Sequence, residues 1–354
     1  MATQGANLGT SLRIRYLLSG LVLTFVLILG GIAVALYITW FLPHKNFLEN
    51  RKFVLIAKGT PSYQVAHALQ REGIVRNWFW FLVYLKLMKH SAHLQAGEYL
   101  FDQPLSIARV ADKLILGQVY YHEVTIPEGY SLFDIADLLA QKGLLESHDF
   151  QQAARHVEKL ADLVALKGNL EGYLFPDTYR VTRGIQAEEF IVMMTSKFRD
   201  VYRDILESPL QHSEYGLNEI ITMASLIEKE TAVDEERPLV AAVFYNRLKK
   251  RMPLQCDPTV IYAARLNGEY RGKIYQTDLD IDSPYNTYRR LGLPPAPIAN
   301  PGIQSIEAAL KPANVDYLYF VSNNNGGHVF SKSLPEHQKA VTAYRKQSAG
   351  KSRS

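Results

Sequence analysis

The longest apolar run in the chain comes first. From Tyr16 to Pro43, "YLLSGLVLTFVLILGGIAVALYITWFLP" contains no charged residue. At a rise of about 1.5 Å per residue, about 20 residues cross a hydrocarbon core, so this run spans with room for tilt. It is longer than the apolar part of a signal peptide and ends in "ITWFLPHK", without the small residues of a cleavage site. An uncleaved span is therefore expected. Arg13 and Arg15 precede it and the first 15 residues hold no acid, which places the N-terminus in the cytoplasm and the chain after about residue 43 on the far side. No other stretch qualifies. "NWFWFLVYLKLM" (77–88) is apolar but short and holds Lys86, which predicts a buried amphipathic helix.

Beyond the span the pattern changes. "VLIAKGTPSYQVAHALQREGIV" from Val54 and "VTIPEGYSLFDIADLLAQKGLL" from Val124 resemble each other at an offset of 70, sharing Ile56/Ile126, Gly59/Gly129, Ala66/Ala136, Leu69/Leu139 and Gly73/Gly143. Each predicts a short strand, a glycine turn, a helix with apolar residues three and four apart, and a glycine C-cap. Between them, "AGEYLF" (96–101) predicts a strand and "SIARVADKLILGQV" (106–119) another helix. Two units fall short of a repeat array and fit a duplicated packing unit. The same strand–turn–helix order resembles the start of a LysM module, a small fold that often binds N-acetylated glycans. The pattern leaves both readings open.

After "LEGYLFPDTYRV" (170–181) the spacing predicts a helix from about Glu188 to Glu207 and another from Leu217, "LNEIITMASLIEKETA". At about 100° per residue, Ile220, Ile221, Met223, Ala224, Leu226 and Ile227 centre an apolar face near Ile220 and Ile227. Lys229 falls opposite, in water. Glu230 lies about 70° from the centre of that face and Glu228 about 90° away on the other flank. Both acids sit at the edge of a stripe that reads as core, so each is either the rim of a solvated face or a carboxyl group turned inward. Asp234, Glu235 and Glu236, followed by Pro238, read as the start of the next helix.

Composition narrows the chemistry. With 354 residues, 47% hydrophobic and 21% charged, the chain is an ordinary globular sequence of about two domains. A net charge of +4 from dispersed basic residues argues against nucleic acid as a partner. One cysteine, Cys256, excludes an internal disulfide. The ten histidines are scattered without an H-E-x-x-H pattern, and neither G-x-S-x-G nor a phosphate-binding glycine loop occurs. No metal and no cofactor are expected.

"ASLIEKETAVDEERPLVAAVFYNRLKKRMPLQCDPTVIYA" (224–263) is followed by "SPYNTYRRLGLPPAPIANPG" (283–302), "AALKPANVDYLYFV" (308–321) and "GGHVFSKSLPEH" (326–337). These strings, in this order, resemble the core of the YceG-like family, the endolytic murein transglycosylases, and the resemblance runs from about residue 16 to 345. It implies an α+β protein: a cytoplasmic tail (1–15), a single N-terminal transmembrane helix (16–43), a LysM-like N-terminal part (50–155), a mixed α/β catalytic domain of the YceG-like type (156–345) and a disordered basic tail (346–354). It also implies a lyase held at the inner membrane with its catalytic domain in the periplasm. Such an enzyme cleaves the β-1,4 bond between N-acetylmuramic acid and N-acetylglucosamine within nascent peptidoglycan strands, leaves 1,6-anhydro ends, and works beside peptidoglycan synthases.

The family is similar to lysozyme-like transglycosylases in using one essential glutamate, typically followed by Ser or Thr. This selects Glu230–Thr231 over Glu228–Lys229. Gln255 and Asp257 in "LQCDPT", and Tyr285, Asn286, Thr287 and Tyr288 in "PYNTY", are the candidate glycan-binding residues. Amides and hydroxyls suit sugar hydroxyls and N-acetyl groups, and tyrosine faces suit a pyranose ring. The same strings are also common turn material. Asn246 and Arg247 read as structural, and His328 and His337 either as cleft residues or, as is commoner, as satisfied loop histidines. Asp257 is the candidate second acid should Glu230 need a partner. Two rivals remain: a hydrolase of the muramidase type, in which water attacks instead of the C6 hydroxyl, and a non-catalytic, membrane-anchored peptidoglycan-binding scaffold, which would have no need of Glu230.

Overall fold

The computed structural model describes residues 5–48, 51–89, 94–162 and 168–351. It forms two compact units: one runs to His122 and takes in Thr182–Gly184, the other runs from Glu123 to Val181 and from Ile185 onward.

The first unit begins with helix α1 (Gly5–Phe41), which contains the apolar segment Leu17–Phe41. That segment is 25 residues long, about 37 Å at helical rise, and its side chains are exposed almost throughout, which fits a transmembrane anchor. Near its end Trp40 is buried in a protein core, and Leu36 packs against the same core. Strand β1 (Lys52–Ile56), helices α2 (Ser62–Arg71) and α3 (Trp78–Leu87), strand β2 (Gly97–Phe101) and helix α4 (Ile107–Ile115) come next. The strands pair antiparallel, Val54 opposite Tyr99. Their inward side chains meet Leu69, Phe81, Leu85, Val110 and Leu114 from the three helices. Asn77 and Ser106 cap α3 and α4, each accepting a backbone N–H of the first turn. Gly73, at φ +72°, ends α2 where a Cβ would stand 2.2 Å from the Asn46 carbonyl oxygen, so only glycine fits. Buried Glu98 is met by His122 at 2.5 Å and Arg183 at 3.3 Å, which ties residues 182–184 to this unit.

Helix α3 departs from the buried amphipathic helix predicted for 77–88. Phe81, Tyr84 and Leu85 are buried, but Phe79, Trp80 and Leu87 are exposed. The helix is apolar all round, and the unit covers only one side.

The second unit opens with the same order: β3 (His122–Thr125), α5 (Leu132–Gln141), α6 (Ser147–Ala153) and β4 (Thr178–Val181), with β3 paired to β4. The 70-residue sequence repeat is thus a repeat of backbone conformation. Gly59 and Gly129 sit at φ +81° and +75°, Gly73 and Gly143 at +72° and +62°. The expected division near residue 155 moves to 122/123. Val124, Ile126, Leu132 and Leu139 share one core with Tyr173, Phe190 and Ile220, because the second copy packs against the later helices of the chain.

Helices α7 (Ala187–Val201), α8 (Glu207–Leu210), α9 (Leu217–Glu230), α10 (Arg237–Lys249), α11 (Asp257–Leu266) and α12 (Ile303–Leu310), the antiparallel hairpin β5 (Tyr319–Ser322) and β6 (His328–Ser331), and helix α13 (Leu334–Lys351) complete the unit. Helix α9 is the centre. Leu217 and every residue from Ile220 to Ile227 are buried, with α10, α11 and α12 packed around it. Of its buried hydroxyls, that of Ser225 donates to the Thr222 carbonyl (2.7 Å) and accepts from Ile298 N–H (3.1 Å), while the Thr222 hydroxyl has no partner among the described residues. At the far end, α13 continues to Lys351 instead of fraying at 346. Asn324 in the hairpin loop donates to the Tyr344 carbonyl (3.0 Å) and accepts from the Ser348 hydroxyl (2.9 Å), pinning the last turns; residues 352–354 lie outside the described residues.

Candidate active site

Helix α9 ends in two acids with different fates. The Glu228 carboxylate lies 3.3 Å from the Arg237 guanidinium and accepts Gly302 N–H at 3.1 Å. Arg237 in turn bonds Ser305 Oγ (2.9 Å) and Asp234. Glu228 is a buried, paired, structural acid. Glu230, two residues on, points elsewhere. Thr231 leaves the helix in an extended conformation, and its hydroxyl accepts from Val233 N–H at 3.0 Å and donates to Glu236 at 3.4 Å. A small hydroxyl residue after the acid thus turns the chain at the point where the helix stops. Glu236 also accepts His328 N–H (2.8 Å) and meets its Nδ1 (2.7 Å), which fixes the β5–β6 hairpin at the same place.

Glu230 opens on a cavity of about 300 Å³. Arg247, Leu254, Gln255, Asp257, Tyr288, Phe320 and His337 line the rest of it. Burial pushes the Glu230 carboxyl above its ordinary pKa, and the nearby Asp257 charge acts the same way. A hydrogen bond from the Cys256 thiol, and the positive potentials of His328 and Arg247, oppose the rise without reversing it. The thiol itself is driven well above its usual range by burial and by Glu230, so it stays protonated and donates. The result is a carboxyl group that keeps its proton to higher pH than a surface glutamate, with the protonated Cys256 thiol beside it.

Around it the polar groups are arranged by burial. Arg247 donates to the Leu318 carbonyl (2.7 Å) and the Leu254 carbonyl (2.9 Å), joining α10 to the hairpin and to the 253–256 loop. Gln255 sits at φ +52°, a left-handed conformation that costs a residue with a Cβ about 1–2 kcal/mol. Its N–H bonds the Thr287 carbonyl (3.2 Å), and Cys256 N–H bonds the Thr287 hydroxyl (3.0 Å). Tyr288 donates its hydroxyl to Asp257 at 2.5 Å. His337 stacks on Tyr319 (5.1 Å), and its buried Nδ1 has no hydrogen-bond partner. Burial and Arg247 lower its pKa, so the imidazole is neutral.

Of the six predicted glycan-binding residues, Gln255, Asp257 and Tyr288 line the cavity with Glu230. The other three do not. Asn286 is fully buried, with its amide donating to the Leu279 and Ile281 carbonyls (2.9 and 2.8 Å) and its oxygen accepting Tyr288 N–H (3.0 Å). Thr287 is buried and clamps the 255–257 loop. Tyr285 packs against Tyr262 at 5.0 Å, and burial raises its pKa to about 12. These three hold the loops that carry the cavity's lining residues. Conversely, Arg247, read from the sequence as structural, and His337, read as a cleft or loop histidine, face the cavity with Phe320 and Leu254. Nothing in their local spacing marked them. Among the described residues, no group of three or more His, Cys, Asp or Glu could hold a metal ion.

The sequence model of the YceG-like family matches residues 54–343. A Bacillus subtilis (strain 168) protein named endolytic murein transglycosylase is 36% identical over 304 residues, covering 82% of this chain and 83% of its own length. A Streptococcus pneumoniae (strain R6) protein of the same name is 30% identical over 334 residues, 84% of this chain and 59% of that longer protein. The crystal structure of a putative YceG-like protein from Listeria monocytogenes superposes with a TM-score of 0.56 at 35% identity, over 82% of this chain and 98% of that one. The chain belongs to the YceG-like family.

Proposed function

We infer that this protein is a membrane-anchored endolytic murein transglycosylase with Glu230 as its acid and base. The observation that carries the reading is a single one: a carboxyl group of raised proton affinity, beside a neutral thiol, opening on a polar cavity. Protonated Glu230 gives its proton to the oxygen between N-acetylmuramic acid and N-acetylglucosamine, and the C1–O bond breaks. The carboxylate then takes the proton from the muramic C6 hydroxyl as that oxygen bonds C1, closing the 1,6-anhydro ring. No water is consumed and Glu230 ends as it began. Gln255, the neutral imidazole of His337 and the Tyr288 ring are the groups that would meet sugar hydroxyls and N-acetyl groups. The names of the family relatives, both endolytic murein transglycosylases, support this assignment.

The anchor reading places the N-terminus in the cytoplasm and the chain beyond α1 in the periplasm, next to the inner membrane where strands are made. Cutting there would end strand elongation beside the synthases. The two strand–helix–helix–strand units are consistent with a LysM-like role in holding the glycan.

The test is mass spectrometry of purified glycan strands digested by the full-length protein and by Glu230→Gln. 1,6-Anhydro-muramic ends from the first alone support the reading. Reducing ends mean a hydrolase, and intact strands that stay bound mean a scaffold.

A further inference from the structure

Among the described residues, little covers the outer side of α3. Phe79 is 49% exposed, Trp80 36% and Leu87 61%, and these three share one side of the helix, opposite Phe81 and Leu85. A helix this apolar is normally covered on all sides by protein or lipid. What covers the open side is indicated by its neighbour. The Trp40 indole N–H donates to the Trp80 carbonyl at 3.3 Å, and the Trp40 ring packs edge-on against Tyr84 at 5.7 Å. Trp40 stands at the end of the Leu17–Phe41 apolar segment. If that segment crosses a bilayer, Trp40 lies at the boundary between hydrocarbon and headgroups, and Trp80, in contact with it, lies at the same depth.

The connection between helix and unit has no slack. His44 and Leu105 exchange backbone hydrogen bonds at 2.9 and 3.3 Å, and Asn46 N–H bonds the Gly73 carbonyl at 3.0 Å. The depth of α1 therefore fixes the depth of α3. Tryptophan and phenylalanine suit the interfacial layer, where an apolar ring meets lipid and an indole N–H meets water. Lys86, exposed on the flank of the same face, suits anionic headgroups.

We propose that this face of α3 is a membrane-contact surface: Phe79, Trp80 and Leu87 seat in the interfacial layer of the bilayer that α1 crosses, and the first unit lies on the membrane instead of swinging from a stalk. The proposal rests on α1 being the anchor.

Full-length protein carrying a nitroxide at Leu87→Cys, and separately at Ile28→Cys in mid-span, is reconstituted in phosphatidylethanolamine–phosphatidylglycerol vesicles. Cys256 is buried and stays unlabelled under native conditions. Spin relaxation by oxygen, which concentrates in lipid, is compared with relaxation by a water-soluble nickel complex. The expected result is oxygen-dominated relaxation at both positions, shallower at residue 87, with the nickel effect at 87 lost on reconstitution from detergent. Nickel-dominated relaxation at 87 with oxygen-dominated relaxation at 28 overturns the proposal and leaves the anchor standing. Protection of 87 from both agents means a second copy or another protein covers the face, and also overturns it. Nickel access at 28 removes the anchor and the proposal together.

Discussion

The Glu228 carboxylate lies 3.3 Å from the Arg237 guanidinium, with both side chains almost wholly buried, while Glu230 on the same helical turn opens on the cavity. This pairing separates two acids that helical periodicity could not. It predicts opposite failures. Glu230→Gln folds with wild-type stability and loses roughly 10²–10⁴-fold in strand cleavage. Glu228→Gln leaves Arg237 without its buried partner and costs about 3 kcal/mol of stability, with cleavage largely retained by the folded fraction. Thermal melts and product analysis on the two variants check this. A stable, inactive Glu228→Gln would reverse the assignment.

The Cys256 thiol stabilises the Glu230 carboxylate, so removing it raises the pKa of the acid further. The active form needs a protonated Glu230, so the rate falls as pH rises through that pKa. Cys256→Ala should carry the alkaline limb of the cleavage profile to higher pH, and Cys256→Ser, which keeps a donor, should move it less. An unmoved limb in Cys256→Ala would mean that the thiol has no part in tuning the acid.

Glu171 is fully buried, accepting Leu132 N–H at 3.0 Å and the Asn300 amide at 3.0 Å, and burial raises its pKa from 4.5 to about 8. The folded state therefore holds this proton more tightly than the unfolded one. Stability from this group is full below about pH 4.5 and falls as pH rises towards 8. Glu171→Gln keeps an acceptor and cannot ionise, so its melting temperature should fall less over that interval than the wild type's. Parallel slopes would place the ionisation penalty elsewhere.

Asn286 and Tyr288, two residues apart, should differ in kind. Asn286→Ala strands buried carbonyls and costs about 2 kcal/mol, visible as a lower melting temperature. Tyr288→Phe removes only the bond to Asp257 and should leave the melt unchanged while altering KM or kcat for glycan strands. Equal melts for both would contradict the burial of Asn286.

Replacing His337 by alanine should raise KM for strands more than it lowers kcat, because the neutral ring lines the cavity and its Nδ1 has no protein partner. Glutamine, which restores a donor and an acceptor, should recover part of the loss. Unchanged KM in both variants would leave His337 with only its stacking on Tyr319.

Some of this was legible in the chain itself. The charge-free run predicted α1, because a lipid-length apolar segment has few alternatives. The offset of 70 predicted two equivalent strand–turn–helix units, because positive-φ turns and C-caps need glycine at fixed places. The spacing of Ile220, Ile221, Met223, Leu226 and Ile227 predicted a helix with Lys229 outward and two acids on its edges. Tertiary structure decided the rest. Periodicity says which side of a helix a residue occupies, not what stands opposite. Arg237 from the next helix neutralised Glu228, and Cys256 and Asp257 from α11 and its approach set the environment of Glu230. "PYNTY" looked uniform as turn material, yet the fold turned Asn286 and Thr287 inward to satisfy carbonyls and amides and left Tyr288 at the cavity. Arg247 and His337 arrived there from α10 and α13, a proximity that only packing creates. The open face of α3 belongs to the same class: its apolar residues were plain in the sequence, but which of them the core would leave uncovered was a property of the fold.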